Sequence, residues 1–93
     1  MIKTFANKET AALFARKPVR CFGTDLQRMA LIKLALLHRA TDINDLRIPP
    51  GNRLEKLSGN RADQHSIRIN DQWRLCFRFE NGDAFDVEIV DYH

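Results

Sequence analysis

At 93 residues, 44% of them hydrophobic, the chain (residues 1–93) has room for one domain with one core and is too apolar to be a disordered segment. The formal net charge of +3 permits nucleic-acid binding without requiring it. No apolar run approaches the length that spans a bilayer, and residues 1–5 are too short and polar for a signal peptide, so we expect a soluble, cytoplasmic protein with no membrane association.

Two helices are predicted in the first half of the chain. Asn7 is placed to cap a short helix that ends before Pro18. Thr24 and Gln27 form a capping-box pattern that opens a second helix toward Ala40. The second helix has more apolar surface than one stripe requires, so it packs either within the chain alone or also on a partner. That excess surface comprises Leu31, Ile32, Leu34 and Ala35.

Strands are predicted at the start of the chain and throughout its second half. Residues 1–5 and 53–57 are short extended candidates. Three later segments alternate apolar and polar residues, which is typical of strands with one buried and one open face. Their apolar positions are Ile67 and Ile69, then Trp73, Leu75, Phe77 and Phe79, then Phe85, Val87 and Ile89. Helices followed by such strands predict an α+β domain.

The pairing of the first two of these strands follows from aligning their apolar faces. A loop at residues 70–72 places Ile67 opposite Leu75. The same register places Arg68 opposite Arg74 on the open face of the sheet, where like charges are destabilising.

The pairing of the last two strands follows from the same test. A three-residue loop at 81–83 sets Phe79 opposite Phe85 and Leu75 opposite Ile89. A two-residue Asn-Gly loop would mix the faces, so we predict the longer loop.

The facing arginines suggest an anion site. A phosphate between Arg68 and Arg74 would relieve their repulsion, and phosphate suits guanidinium geometry. Alternatively the two side chains splay into water or pair with Glu88 and Asp86. Of these acids, Asp86 already matches Arg78 as an ordinary cross-strand ion pair.

The distribution of charge places the anion site in the middle of the second half of the chain. Residues 47–78 hold seven basic residues against three acidic ones, whereas residues 80–91 hold five acids and no base. The basic residues are Arg47, Arg53, Lys56, Arg61, Arg68, Arg74 and Arg78. We assign phosphate or RNA binding to Arg74, Arg68, Arg61 and Lys56.

Residues 91–93 are the candidate catalytic group. Cutting RNA without a metal requires a base for the 2′-hydroxyl proton, donors for the phosphorane and an acid for the leaving 5′-oxygen. His93 titrates in the right range, Tyr92 can donate a proton or stack on a base, and Asp91 can orient either. By alternation Tyr92 lies on the same side as Arg68 and Arg74. The competing interpretation is a plain terminal strand.

The cysteines and histidines give no sign of a metal site or cofactor. Cys21 and Cys76 are far apart and belong to no Cys-x-x-Cys pair, so we expect two reduced, partly buried thiols. His38, His65 and His93 lack metal-ligand spacing.

Three stretches of the sequence resemble a known toxin family. They are Arg53-Leu54-Glu55-Lys56-Leu57-Ser58-Gly59, His65-Ser66-Ile67-Arg68-Ile69-Asn70-Asp71-Gln72-Trp73-Arg74-Leu75 and Val87-Glu88-Ile89-Val90-Asp91-Tyr92-His93, and the opening Met1-Ile2-Lys3-Thr4-Phe5 also fits. Together they resemble the HigB-type toxins, or plasmid maintenance killer proteins, of the RelE/ParE superfamily. The likeness covers most of the chain.

The resemblance implies a microbial-RNase-like fold, with two N-terminal helices packed on a small twisted, mostly antiparallel sheet. It implies a toxin of a type II toxin–antitoxin system that cleaves mRNA on the ribosome, without a metal, and so inhibits translation. The implied partners are the ribosome, mRNA and a cognate HigA-like antitoxin with a helix-turn-helix domain, through which alone the toxin would reach operator DNA.

Carried onto this chain, the family's catalytic ending matches Asp91, Tyr92 and His93, and its phosphate-facing arginine matches Arg74. Some members have a further catalytic histidine where this sequence has Glu55 or its neighbour. The nearest histidine, His65, falls on the apolar side of its strand, which favours a buried structural role.

Two alternatives to an mRNA endonuclease remain at this point. One is a toxin of the same fold that does not cut and binds a protein target, as the ParE branch does. The other is a module that binds the ribosome or its RNA without cutting. Residues 91–93 favour the endonuclease, because a pure binder needs no imidazole, phenol and carboxylate at one end of a sheet.

Overall fold

The computed structural model describes residues 1–92, and it confirms the predicted α+β architecture. Helix α1 (Lys8–Phe14) and helix α2 (Thr24–Arg39) precede the strands β1 (Glu55–Lys56), β2 (His65–Arg68), β3 (Trp73–Glu80) and β4 (Asp83–Asp91). The strands form one antiparallel sheet in the order β1-β2-β3-β4. Both helices pack on one face of this sheet, which leaves the other face for a site.

The two helices begin differently. Asn7 caps α1 as predicted, because its side-chain oxygen accepts from the backbone N–H of Thr10 at 2.9 Å. The predicted capping box of α2 is wrong. Gly23 is the N-cap residue, and the side-chain amide of Gln27 donates instead to the carbonyl of Phe22 at 2.7 Å. The helix therefore begins where predicted, but the Gln27 side chain binds the preceding loop and does not cap the helix.

The core lies between the helices and the sheet. Its fully buried members include Ala30, Leu34 and Leu37 of α2 and Ile67, Leu75, Phe77 and Val87 of the sheet. Leu34 was predicted to extend the free surface of α2, and its complete burial corrects that assignment. Ile32, in contrast, is 56% exposed, and Ala35 is also exposed.

The predicted first strand is reduced to two isolated bridges. Ile2 pairs with Ala84 and Phe5 with Val87, both parallel to β4. The predicted strand over 53–57 shrinks to β1.

The register of β2 and β3 is as predicted. Ile67 lies opposite Leu75 in the core, and Arg68 lies opposite Arg74 on the other face. The 70–72 loop is closed by Asn70, whose side chain accepts from the backbone N–H of Trp73 at 2.8 Å.

The register of β3 and β4 is as predicted only at its far end, where Leu75 pairs with Ile89. Near the turn the prediction is wrong: Phe85 lies opposite Arg78 and not opposite Phe79. A two-residue turn, Asn81-Gly82, joins the strands, and both of its residues have positive φ (51° and 83°).

A β-bulge reconciles the short turn with aligned faces. The register shifts between Cys76 and Arg78, and on the facing strand Asp86 has a φ of 54°. The backbone N–H of Asp86 donates to Thr4 Oγ1 at 2.8 Å, which holds the bulge. The predicted ion pair forms here, with Arg78 Nε 3.5 Å from Asp86 Oδ2.

Candidate active site

The site is built around Arg74, in the middle of the sheet face opposite the helices. Its Nε donates to Ser66 Oγ at 2.8 Å, and its Nη2 donates to the carbonyl of Arg53 at 2.6 Å. The residue lies on the predicted face of the sheet but is only 9% exposed. The segment before β1 covers the stem of Arg74, and these bonds fix the direction of its guanidinium.

A cleft of about 560 Å³ opens in front of this guanidinium. It is lined by Gly51, Arg53, Glu55, Arg68, Asn70, Asp71, Arg74 and Tyr92. The structure therefore brings together the predicted residues Arg68, Arg74 and Tyr92. Three cations and two carboxylates line the cleft, a composition suited to an anionic ligand and to proton transfer.

Glu55 enters the cleft from β1. Its Oε2 lies 3.9 Å from Arg74 Nη2, and its side chain remains 57% exposed. The sequence left open whether Glu55 or His65 occupies the place of the family's additional histidine. Pairing of Glu55 with Ser66 sets its side chain on the cleft face of the sheet. Of Glu55 and His65, only Glu55 lines the cleft.

His65 lies on the opposite face. Its ring stacks on Phe77, with centroids 6.5 Å apart, and its Nδ1 is buried without a hydrogen-bond partner among residues 1–92. Burial lowers the pKa of His65, and the nearby positive charges of Lys56 and Arg47 lower it further. His65 is thus a packing residue, as its alternation indicates.

Tyr92 lines the cleft at the end of β4. Its backbone N–H donates to the carbonyl of Gln72 at 2.6 Å, and its phenol oxygen lies 4.0 Å from Cys76 Sγ. The guanidinium carbon of Arg74 lies 6.0 Å from the centre of its ring. Burial raises the pKa of Tyr92, and Cys76 raises it further against the opposing effect of Arg61 and Arg74. The phenol is therefore protonated at neutral pH and can act as a donor.

The other two candidate catalytic residues are Asp91 and His93, and Asp91 does not line the cleft. Asp91 pairs with Trp73 and its Oδ2 accepts from Gln72 Nε2 at 3.1 Å, so it lies on the other side of the strand from Tyr92. His93 lies outside the described residues. Of the two candidate catalytic residues that the structure describes, Tyr92 lines the cleft and Asp91 does not.

Arg61 and Lys56 do not line the cleft. Arg61 forms an ion pair with Glu88 at 3.2 Å and also donates to Gln64. Lys56 is exposed on β1 and points to the side of the sheet opposite its neighbour Glu55. Both remain candidates only for outer contacts with RNA.

The repulsion between Arg68 and Arg74 is relieved inside the protein. Arg68 pairs with Asp71, while Arg74 donates to Ser66 and to backbone carbonyls. Glu88 and Asp86, the partners considered from the sequence, pair with Arg61 and Arg78 instead. A phosphate is therefore not required to hold the two arginines side by side, although both still face the cleft.

Sequence reasoning missed the segment that carries Gly51 and Arg53. Arg53 adopts a φ of 46°, which turns its carbonyl toward Arg74. The segment is anchored by Asn52, which is fully buried, donates to the carbonyl of Leu46 at 3.1 Å and accepts from Lys33. The Pro-Pro-Gly run marks a loop here, but alternation contains no signal that the loop folds over the sheet.

Residues 1–92 contain neither a membrane-spanning helix nor a metal-binding cluster. No helix there is both long and apolar enough to cross a membrane. Within the same residues, no three His, Cys, Asp or Glu side chains are arranged to hold a metal ion.

The sequence matches known proteins over most of its length. A family model for the RelE-like toxin of the type II toxin–antitoxin system HigB matches residues 3–93. Toxin HigB-1 of Vibrio cholerae serotype O1 is 42% identical over 68 residues, 73% of this chain and 72% of that protein. Endoribonuclease HigB of Proteus vulgaris is 34% identical over 99 aligned positions that cover 100% of each chain.

The fold matches solved structures at lower identity. YafQ from E. coli strain BL21(DE3) superposes with a TM-score of 0.62 at 14% identity, covering 98% of this chain and 91% of that one. The YoeB–YefM complex from Staphylococcus aureus contains a chain that superposes with a TM-score of 0.63 at 16% identity, covering 100% and 98%. At these identities the likeness shows the shared RelE-like fold.

Proposed function

Because the chain belongs to the HigB-like family of RelE-like toxins in type II toxin–antitoxin systems, we propose that it is an endoribonuclease that cuts mRNA on the ribosome and thereby inhibits translation. The observation that carries the proposal is the fixed guanidinium of Arg74 between the carboxylate of Glu55 and the phenol of Tyr92. A phosphodiester bound there meets a cation, a base and an acid.

The proposed reaction needs no group from outside the protein and RNA. Glu55 takes the proton of the 2′-hydroxyl, whose oxygen then bonds to the adjacent phosphorus. The bond from phosphorus to the 5′-oxygen breaks, and that oxygen takes a proton from Tyr92 or His93. Arg74 and Arg68 stabilise the charge that develops on the phosphorane. The products are a 2′,3′-cyclic phosphate and a 5′-hydroxyl.

Asp91 and His93 keep supporting and catalytic roles in this proposal. Asp91 contacts Gln72, which also binds the backbone of Tyr92, so it steadies the end of β4. His93 follows directly and supplies the imidazole that the family resemblance implies. Arg61 and Lys56 would contact RNA beyond the cleft.

The proposed partners follow the same family. In the Staphylococcus aureus structure the related fold is in complex with YefM. We infer that a HigA-like helix-turn-helix antitoxin holds this toxin inactive in the cytoplasm and carries it to operator DNA. The antitoxin would dock on the helical side of this chain, in a shallow groove here called the α2 groove. The groove is lined by Arg16, Arg28, Leu31, Ile32 and Ala35.

Primer extension on a translated mRNA tests the proposal. Purified toxin should produce discrete cleavage sites when ribosomes are present and few or none when they are absent. Arg74→Ala should strongly weaken cleavage at these sites, whereas Arg39→Ala, which removes an exposed arginine of α2 away from the cleft, should leave it unchanged. Inhibited translation with intact mRNA would instead identify a toxin that binds the ribosome or a protein target without cutting.

A further inference from the structure

Cys76 is a buried thiol directly beneath the cleft. It lies on the cleft face of β3, between Ser66 of β2 and Glu88 of β4, and it is completely buried. The sequence predicted a partly buried thiol here, whereas Cys76 is buried and Cys21 is exposed. Burial raises the pKa of Cys76, so the sulfur is a neutral thiol and a poor nucleophile. The location of Cys76 beneath the cleft is therefore not explained by a role as a nucleophile.

Tyr92 is held at two points. Its backbone is fixed by the 2.6 Å hydrogen bond to the carbonyl of Gln72. Its phenol oxygen rests 4.0 Å from Cys76 Sγ. The 6.0 Å separation of Arg74 from the ring centre is at the outer limit of a cation–π contact and fixes the ring only weakly.

With its backbone fixed, a tyrosine still swings about two side-chain torsions, and each setting moves the hydroxyl by several ångströms. Tyr92 is 43% exposed, so packing restrains it on one side only. On that side the contact at its hydroxyl end is the Cys76 sulfur. A proton donor must lie within hydrogen-bond reach of the leaving oxygen, so the position of this hydroxyl decides whether Tyr92 can donate its proton.

We propose that Cys76 is a positioning residue: its buried sulfur contacts the phenol of Tyr92 and so holds the hydroxyl in a fixed position relative to the Arg74 guanidinium. The role in cleavage rests on the function proposed above. The positioning itself does not.

The choice of residue agrees with this role. A thiol is a small, polarisable group that remains buried without a strong hydrogen bond and still contacts a hydroxyl. Alanine at position 76 would leave a gap under the phenol, valine would push it outward, and serine would place a shorter, more strongly solvated group there.

The test uses the single tyrosine and the single tryptophan of the chain. The titration of Tyr92 is followed by ultraviolet absorbance without RNA in the wild type, in Cys76→Ala and in Cys76→Ser, with Cys21→Ala as the matched control. Trp73 fluorescence reports that each variant is folded. Tyr92 in the wild type should titrate above the ordinary value of about 10, and Cys76→Ala should return it toward that value, because burial and the sulfur both raise its pKa. Arg61 and Arg74, which oppose the shift, are unchanged in the variant.

Cleavage is then measured on the same proteins. Cys76→Ala should lower kcat by roughly tenfold to a hundredfold with KM nearly unchanged, as expected of a misplaced catalytic group. Cys76→Ser should recover part of the loss, and Cys21→Ala should behave as wild type. A folded Cys76→Ala protein with the wild-type tyrosine titration would overturn the proposal. That result is independent of whether the protein cuts RNA, which the primer-extension experiment decides separately.

Discussion

Glu55 Oε2 lies 3.9 Å from Arg74 Nη2, so a carboxylate from the short edge strand meets the most deeply fixed guanidinium of the sheet. The pair is exposed on the side of Glu55, and its contribution to folding stability is under about 1 kcal/mol. In the proposed reaction, the importance of the pair is that it places a carboxylate beside the guanidinium that would bind the phosphate.

Glu55→Gln tests that base. The amide keeps the shape of the side chain but accepts no proton, so cleavage should fall by roughly a hundredfold or more. The melting temperature should change little, since the lost ion pair is weak. If Glu55→Gln cleaves RNA as fast as the wild type, Glu55 is not the general base, and that role would be assigned to a residue in 91–93.

Arg74→Ala tests phosphate stabilisation and should weaken cleavage at every pH. It should also destabilise the fold by about 1–3 kcal/mol, because the Ser66 hydroxyl and the Arg53 carbonyl lose their buried donor. Arg74→Lys should restore the charge but not the planar fork, and recover only part of the activity. Denaturant unfolding separates the two effects: a loss of cleavage under conditions in which the variant remains folded belongs to the site.

His93→Ala tests the imidazole. We expect the unfolding midpoint to stay the same and cleavage to fall by roughly a hundredfold, with a changed pH profile that Arg74→Ala does not show. Equal effects of the two substitutions at all pH values would argue against proton transfer by His93.

His65 should make folding stability depend on pH. Its pKa in the folded state is lowered, so the unfolded chain binds the proton more readily. Stability should be complete above the unfolded value of about 6.5 and should decline as the pH falls below it. Lys56→Gln removes one cause of the shift and should reduce the decline, which urea titrations at several pH values would measure. An unchanged slope in Lys56→Gln would mean that burial and Arg47 lower the pKa of His65 without a contribution from Lys56.

The α2 groove should be covered when the antitoxin binds. Hydrogen exchange with and without the product of the neighbouring gene should show protection around Ile32. Ile32→Asp should weaken the complex, whereas Ile48→Asp, which changes an isoleucine 74% exposed elsewhere on the surface, should not. Protection limited to Arg68, Arg74 and Tyr92 would show that the antitoxin blocks the cleft directly.

The sequence predicted those parts of the fold that depend on alternation. It placed Ile67 opposite Leu75 and Arg68 opposite Arg74, because each strand has one apolar face that must be buried. It could not place Glu55 in the cleft, since that depends on how a two-residue strand pairs across the sheet.

Two other features were beyond pattern reasoning. The burial of Arg74 results from a loop that folds over the sheet, and this loop is fixed by its own buried side chain, Asn52, which binds Leu46 and Lys33. The bulge at Asp86 depends on a positive φ at a residue other than glycine, which is uncommon. Without it, the short turn looked incompatible with the hydrophobic pattern.

That bulge also decides which side chain at the end of β4 faces the cleft. Successive residues of a strand point to opposite faces, so a shift of one residue exchanges the faces of everything that follows. Were the ladder unbroken from the Asn81-Gly82 turn, Asp91 would face the cleft and Tyr92 would turn toward the helices. Asp86 does not line the cleft, yet the extra residue there places a phenol in the cleft where a carboxylate would otherwise lie.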